Sequence, residues 1–328
     1  MIYIRDGVIN MKKIFISILT GLFIFTLAAC ATKTEPVSVP AEIATEKTIT
    51  IGVLPDTDSV PFVIADQKGY FEKAGVKVKI EQFKSAKDRD SAFQSGALDG
   101  VITDILAVCF AKEGGFEVKI TSKTDGNYKL LAAKTSGVTS IEQIKGKSIA
   151  ISKNTLIEYA TDKLLQAANL SEKEIKKEIV PQIPVRLEML QNGKVDAATL
   201  PDPLASVAVK NGAIVIDSTA KHNINPGVFA FTSKSIEENS KEIKAVYQAY
   251  NEAVDYINNE PIANYVDVLV EKVGFPEDMK NNIVLPKYSK AEMTKEKDVA
   301  EVVAWLTSKG LIKNNYELKD LTDSQFVK

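Results

Sequence analysis

Histidine is almost missing from this chain: His222 is the only one in 328 residues. A His-ligated metal cluster and a Ser-His-Asp relay therefore lack their parts. Cysteine is nearly as scarce, with Cys30 and Cys109 alone, too few for a disulfide framework or a Cys-rich catalytic motif. Neither sign of charge dominates. Lys and Arg number 41 against 43 Asp and Glu, for a formal net charge of −2, so no basic field suits nucleic acid. Trp305 is the single tryptophan and reads as core packing. These absences argue against an enzyme and leave no expectation of a cofactor or a bound metal.

What is present begins with a targeting signal. Lys12 and Lys13 precede an apolar run over residues 14–27, which leads into Leu27-Ala28-Ala29-Cys30 and then a polar, Pro-containing segment to Lys47. At fourteen residues the run is shorter than the roughly twenty that span a bilayer, which favours a cleaved secretory signal. Leu-Ala-Ala-Cys resembles the lipobox of bacterial lipoproteins. The resemblance implies a signal peptide over 1–29, diacylation (palmitate-type) of Cys30, a linker over 30–47 and an extracytoplasmic protein anchored to the cell membrane, since two acyl chains hold stably. Met11-Lys12-Lys13 is a more natural start than Met1, so residues 1–10 read as an upstream extension of the gene. Cys109 is then unpaired and, within the apolar stretch 105–110, reads as a buried structural thiol.

From Thr48 onward short β-rich runs alternate with helical stretches, the pattern of an α/β sheet with crossover connections. Strands are predicted over 48–54, 76–83, 98–102 and 116–122, with helices over 60–74, up to Ser95 and over 104–112. The pattern restarts after Gly137, with strands over 147–152, 178–181, 196–200, 213–217 and 226–233 and helices over 155–169, 185–191 and 204–211. Ile243, Val246, Tyr247, Tyr250, Val254 and Ile257 then follow helical spacing. A further helix starts at Pro261 and closes at Gly274 and Pro276, and the last covers 299–309.

One internal repeat joins the halves. Arg89 to Gly100 aligns without a gap on Arg186 to Ala197, placing Gly96 on Gly193 and Asp99 on Asp196. Each copy reads as a helix stopped by glycine, a tight turn and a strand opening at Asp. Two similarly built sheets facing each other make a cleft at the carboxyl ends of their strands.

Residues 61–76, from Pro61-Phe62-Val63 through Asp66-Gln67-Lys68-Gly69-Tyr70-Phe71 to Gly75-Val76, resemble the opening signature of extracytoplasmic solute-binding proteins of ABC importers. Within these the chain is most similar to the nitrate/sulfonate/taurine and thiamine-precursor group. Ser95-Gly96-Ala97-Leu98-Asp99-Gly100 matches that group's next signature, and Pro201-Asp202-Pro203 stands where it often has an aromatic-x-Pro turn. The resemblance covers nearly all of the chain after Thr48. It implies a type II periplasmic-binding-protein clamshell, each lobe a mixed sheet flanked by helices, with lobe one over 48–134 and 230–328 and lobe two over 135–229. Crossings are expected near 134–137 and 227–231. It also implies a monomer that captures a small ligand and delivers it to an ABC permease and ATPase.

Candidate ligand contacts are polar groups at strand ends, each with a capping alternative. Asp56, Thr57 and Asp58 follow the first strand, where one acid or hydroxyl suffices to cap the next helix. Phe62 offers a ring for stacking, or for the core. Ser85 opens a capping-box-like start, Thr103 and Asp104 follow the third strand, and Asp125 lies in an Asp-Gly turn. In lobe two Ser152, Asn154 and Thr155 sit at a helix N-terminus, Asp202 matches Asp104, and Asn225 precedes the return crossing. Lys87, Arg89 and Arg186 read as solvated helix charges, each capable of pairing with a ligand anion. The many aspartates favour an amine-bearing or aminopyrimidine-like nutrient. A nitrate, sulfonate or taurine-type anion held by helix N-termini, and methionine, are the alternatives. A clamshell-fold biosynthetic enzyme and a ligand sensor are the rival classes.

Overall fold

The computed structural model describes residues 47–327. The predicted signal, Cys30 and most of the linker lie outside the described residues. Ten strands run β1 Thr48–Val53, β2 Lys77–Gln82, β3 Gly100–Asp104, β4 Val118–Lys123, β5 Tyr128–Ala132, β6 Ser148–Ile151, β7 Lys176–Ile179, β8 Ala197–Pro201, β9 Ile214–Ser218 and β10 Gly227–Thr232. They form two five-stranded sheets of matching design, β2-β1-β3-β10-β4 and β7-β6-β8-β5-β9. In each, three parallel strands are followed by one antiparallel strand that arrives from the other half of the chain. The central strands β3 and β8 are buried along their whole length, while the edge strands β2 and β7 have no fully buried position. That contrast follows from helices covering both faces of a mixed sheet. The α/β architecture with two lobes agrees with the reading of the sequence.

The crossing points differ from expectation. β5 already belongs to the second sheet and β10 to the first, so the chain changes lobes within 124–127 and 219–226. The first passage falls ahead of the expected 134–137 because residues 124–127 carry the chain directly from β4 into β5, with no turn at Asp125-Gly126 where the sequence suggested one. The predicted 60–74 helix is broken at Gly69, which takes φ 70 between the Val60–Gln67 and Tyr70–Lys73 helices. Residues 261–274 form short helical turns instead of one helix.

The C-terminal segments return to lobe one. The Ser240–Asn259 helix buries Val246, Tyr250 and Val254 against Phe62 and its neighbours. The Glu296–Ser308 helix buries Val299, Val302, Val303 and Leu306 in one cluster with Ile105, Val108 and Cys109. The Cys109 thiol is fully buried, and burial pushes its pKa up to about 12, so it stays protonated and inert.

The internal repeat has a structural counterpart. Gly96 and Gly193 both take positive φ. Asp99 accepts the Thr50 backbone N–H at 2.9 Å, tying β3 to β1, and Asp196 accepts that of Ser148 at 2.8 Å, tying β8 to β6. Among the described residues, no helix is long and apolar enough to cross a membrane.

Candidate functional site

The carboxyl ends of β1, β3, β6 and β8 face one another across the gap between the sheets. There Asp56, Asp58, Arg89, Thr103, Asp104, Tyr128, Ser152, Thr155 and Arg186 share a cavity with an apolar wall that includes Leu54, Ile102, Leu156, Ile183 and Pro201. The lobes are drawn together around a free volume of only about 30 Å3, room for one or two waters.

Two arginines enter this cavity, one from each copy of the repeat. Arg89, on the Ala86–Gln94 helix, is 3% exposed; its Nη2 donates to Thr103 Oγ1 at 2.8 Å and pairs with Asp90 at 2.8 Å and Asp104 at 4.0 Å. Burial pulls its pKa down, but Asp90, Asp104 and Asp56 more than restore it. Arg186, on the Ile183–Gln191 helix, is 1% exposed and has no such company. Its Nη1 donates to the carbonyls of Val180 and Pro181, both at 2.9 Å, and its Nε has no partner. Among the described residues no carboxylate pairs with it, and burial alone pulls its pKa down to about 9. A guanidinium keeps its proton in proteins, so an anion, not deprotonation, is what relieves this cost.

The acids are largely engaged. Asp104 caps the Ile105–Glu113 helix through the Ala107 N–H at 2.9 Å, and the Leu156 N–H from lobe two acts on the same carboxylate. Burial lifts its pKa to about 6, against the pull of Arg89. Asp56 caps the next turn through the Ser59 N–H at 3.3 Å, and burial, then the charge of Asp58, hold it well above the usual range. Asp58 accepts the Tyr128 hydroxyl from lobe two at 2.9 Å, and burial raises it too. The first crossing and the start of β10 press on it: a Cβ at Gly126 would stand 2.1 Å from Asp58 Oδ2, and one at Gly227 3.2 Å from Oδ1. Asp58 is thus wedged into the hinge as well as lining the cavity.

The remaining expected contacts separate. Thr103, Ser152 and Thr155 reach the cavity, with Thr155 also capping its helix through the Ile157 N–H at 3.2 Å. Phe62 does not: at 1% exposure it packs on Phe229 and Tyr250, with centroids 4.8 and 4.9 Å away, so its ring serves the core. Ser85 is a buried N-cap accepting from Asp88 N–H at 3.1 Å. Thr57, whose carbonyl accepts the Tyr288 hydroxyl at 2.8 Å, and Asp125, which accepts the Ser289 N–H at 2.6 Å, line a hollow on the hinge side. Asp202 lies there too, held by Lys129 at 2.5 Å and by the Ser206 N–H and hydroxyl at 2.9 and 2.6 Å. Asn154 faces an adjoining groove, and Asn225 braces the second crossing by donating to the Thr124 carbonyl at 2.5 Å. Arg89 and Arg186, expected to be solvated, are the residues that most need correction. Their alignment in the repeat was the signal that paired them, since equivalent helices of facing lobes present equivalent positions to one cleft.

A two-lobe scaffold with a polar, charged cavity between facing strand ends and a chain that crosses twice defines a type II periplasmic-binding-protein fold. The profile of the NMT1-like family matches residues 43–269, and the chain belongs to that family, within the solute-binding group of ABC importers. The sequence is 25% identical over 318 residues to the "Putative aliphatic sulfonates-binding protein" of Bacillus subtilis (strain 168), covering 93% of each chain. The fold is similar to the alkanesulfonate-binding protein SsuA from Xanthomonas axonopodis pv. citri bound to MOPS, with a TM-score of 0.74, 16% identity, and coverage of 84% of this chain and 98% of that one. It is also similar to the periplasmic nitrate-binding protein NrtA from Synechocystis PCC 6803, with a TM-score of 0.67, 14% identity, and coverage of 81% and 82%.

Proposed function

We propose that this protein is the lipid-anchored substrate-binding component of an ABC importer and captures a small sulfonate-type anion between its lobes. The observation that carries the anion reading is Arg186, a buried guanidinium on the cavity wall without a carboxylate. An oxyanion placed there meets the free Nε–H of Arg186, with the positive end of the Leu156–Ala167 helix dipole on the same cavity wall. The apolar wall of Leu54, Ile102, Leu156, Ile183 and Pro201 suits an alkyl tail, which favours an alkanesulfonate over nitrate. The names of the relatives point the same way.

An amine-bearing or aminopyrimidine-like ligand draws less support. Asp104 and Asp56 already hold backbone N–H groups, and Asp58 holds the Tyr128 hydroxyl within the hinge. Capture works by differential affinity: a ligand that touches both lobes stabilises the closed form only by what it gains there. The closed form then docks on a permease outside the cytoplasm, with Cys30 as the anchor. Titration calorimetry against ethanesulfonate, taurine, nitrate, methionine and an aminopyrimidine tests the ligand class. Micromolar ethanesulfonate binding is expected, and binding of the aminopyrimidine with no response to either sulfonate overturns the reading.

A further inference from the structure

The Leu156–Ala167 helix of lobe two touches lobe one at a second place, away from the ligand cavity. Its Tyr159 is only 2% exposed and is buried in the core cluster of lobe one, edge-on to Trp305 with ring centroids 5.6 Å apart. Trp305 Nε1 donates to Asp162 on the same helix at 3.1 Å. Lys309, just past the Glu296–Ser308 helix, pairs with Asp162 at 3.0 Å and with Glu172, and its ammonium lies 5.0 Å from the Trp305 ring centre. Lys163 pairs with Glu301 at 3.0 Å.

The acidic groups involved form a cluster. Glu158, Asp162 and Glu172 bring carboxylate oxygens within 4.8 Å of one another, a spacing that suits a cation. Lys177 supplies that charge, at 2.8, 2.7 and 2.6 Å from the three. One lysine from lobe two leaves the cluster net negative, and Lys309 of lobe one adds the second positive charge. The cluster is therefore more completely neutralised when the lobes meet.

We propose that this contact is an interlobe latch that parts when the cleft opens and sets ligand affinity without touching the ligand. The inference rests on the two-lobe capture reading. The helix acts as a lever: its amino terminus, with Thr155 and Leu156, faces the ligand cavity, while Tyr159 and Asp162 grip lobe one. Opening exposes the Tyr159 ring, strips the indole N–H from Asp162 and separates Lys309 from two acids. Apparent affinity is the intrinsic affinity reduced by the fraction of molecules able to close. Loosening the latch therefore weakens every ligand by the same factor, mainly through faster dissociation.

The test uses the mature chain carrying Trp305→Phe and Lys309→Met together, which keep apolar bulk while removing the indole donor and the ammonium. Small-angle scattering without ligand reads lobe opening directly, and circular dichroism confirms that both lobes remain folded. The variant is expected to have a larger radius of gyration than the unaltered protein, to close on adding ethanesulfonate, and to bind it about tenfold more weakly. Raising the salt to 1 M should enlarge the unaltered protein more than the variant, which keeps the Lys163–Glu301 pair but has lost those of Lys309. Superposable ligand-free scattering curves for the two proteins overturn the latch. Arg186→Met separates the two readings: unimpaired ethanesulfonate binding by that variant overturns the anion site, while the scattering comparison still judges the latch.

Discussion

Replacing Arg186 with Met removes one buried charge and retains most of the volume. The fall in pKa from 12.5 to about 9 corresponds to about 5 kcal/mol of burial cost, at about 1.36 kcal/mol per pH unit. Against it stand the two bonds to the Val180 and Pro181 carbonyls, each worth about 1.5–3 kcal/mol to a charged donor. The two nearly cancel, so the unfolding midpoint without ligand is expected to move by no more than about 4–5 °C. Binding has no such compensation. Losing charge-assisted bonds to a sulfonate costs about 3 kcal/mol or more, so the dissociation constant should rise at least about a hundredfold. Arg186→Lys keeps the charge without the planar fork and should fall between. Calorimetry with ethanesulfonate and thermal unfolding by circular dichroism measure both halves. A Met variant that binds ethanesulfonate within about threefold of the unaltered protein would refute the reasoning, because no other cavity cation lacks a carboxylate.

The remaining predictions concern Asp104, the hinge and the core. Burial raises Asp104 from 3.8 to about 6, so its contribution to stability is full below about pH 4 and is lost as pH rises through about 6. Asp104→Asn keeps the cap on Ala107 and should stabilise the protein by about 1–3 kcal/mol at pH 8 and not at pH 4; thermal unfolding across that range checks it, and a lower midpoint at pH 8 contradicts it. Gly126→Ala drives a Cβ to 2.1 Å from Asp58 Oδ2 and should cost about 1–3 kcal/mol in a denaturant titration. Phe62→Ala should cost about 3–5 kcal/mol of stability, while the folded fraction binds ethanesulfonate as the unaltered protein does; a selective loss of binding would return Phe62 to the site.

Local signals carried much of the fold. The short β-rich run over β1 and the helical spacing from Ile243 to Ile257 were readable because they depend on neighbours a few positions away. Helix caps at Ser85, Asp104 and Thr155 were readable for the same reason. β5 had no predicted bounds, since a strand that leaves one sheet to enter another is defined by distant partners, here β8 and β9. Phe62 illustrates the limit at the site: by sequence its ring suits a ligand stack or the core, and only the Ser240–Asn259 helix, returning from far along the chain to cover it, makes it core.

By itself the sequence determined the α/β class, the two matched halves and the family, because periodicity, glycine turns and signature segments are properties of short stretches. Only the tertiary structure decided which charges are buried. Arg89 and Arg186 look like ordinary helix-surface residues until the strand ends of their own lobes enclose them at the cavity, and Asp125 and Asp202 look like site acids until Ser289 and Lys129 engage them on the hinge side. The cost of a charge depends on everything within several ångströms of it, and that surrounding is assembled only when separate segments pack together, as β3 does beside Arg89.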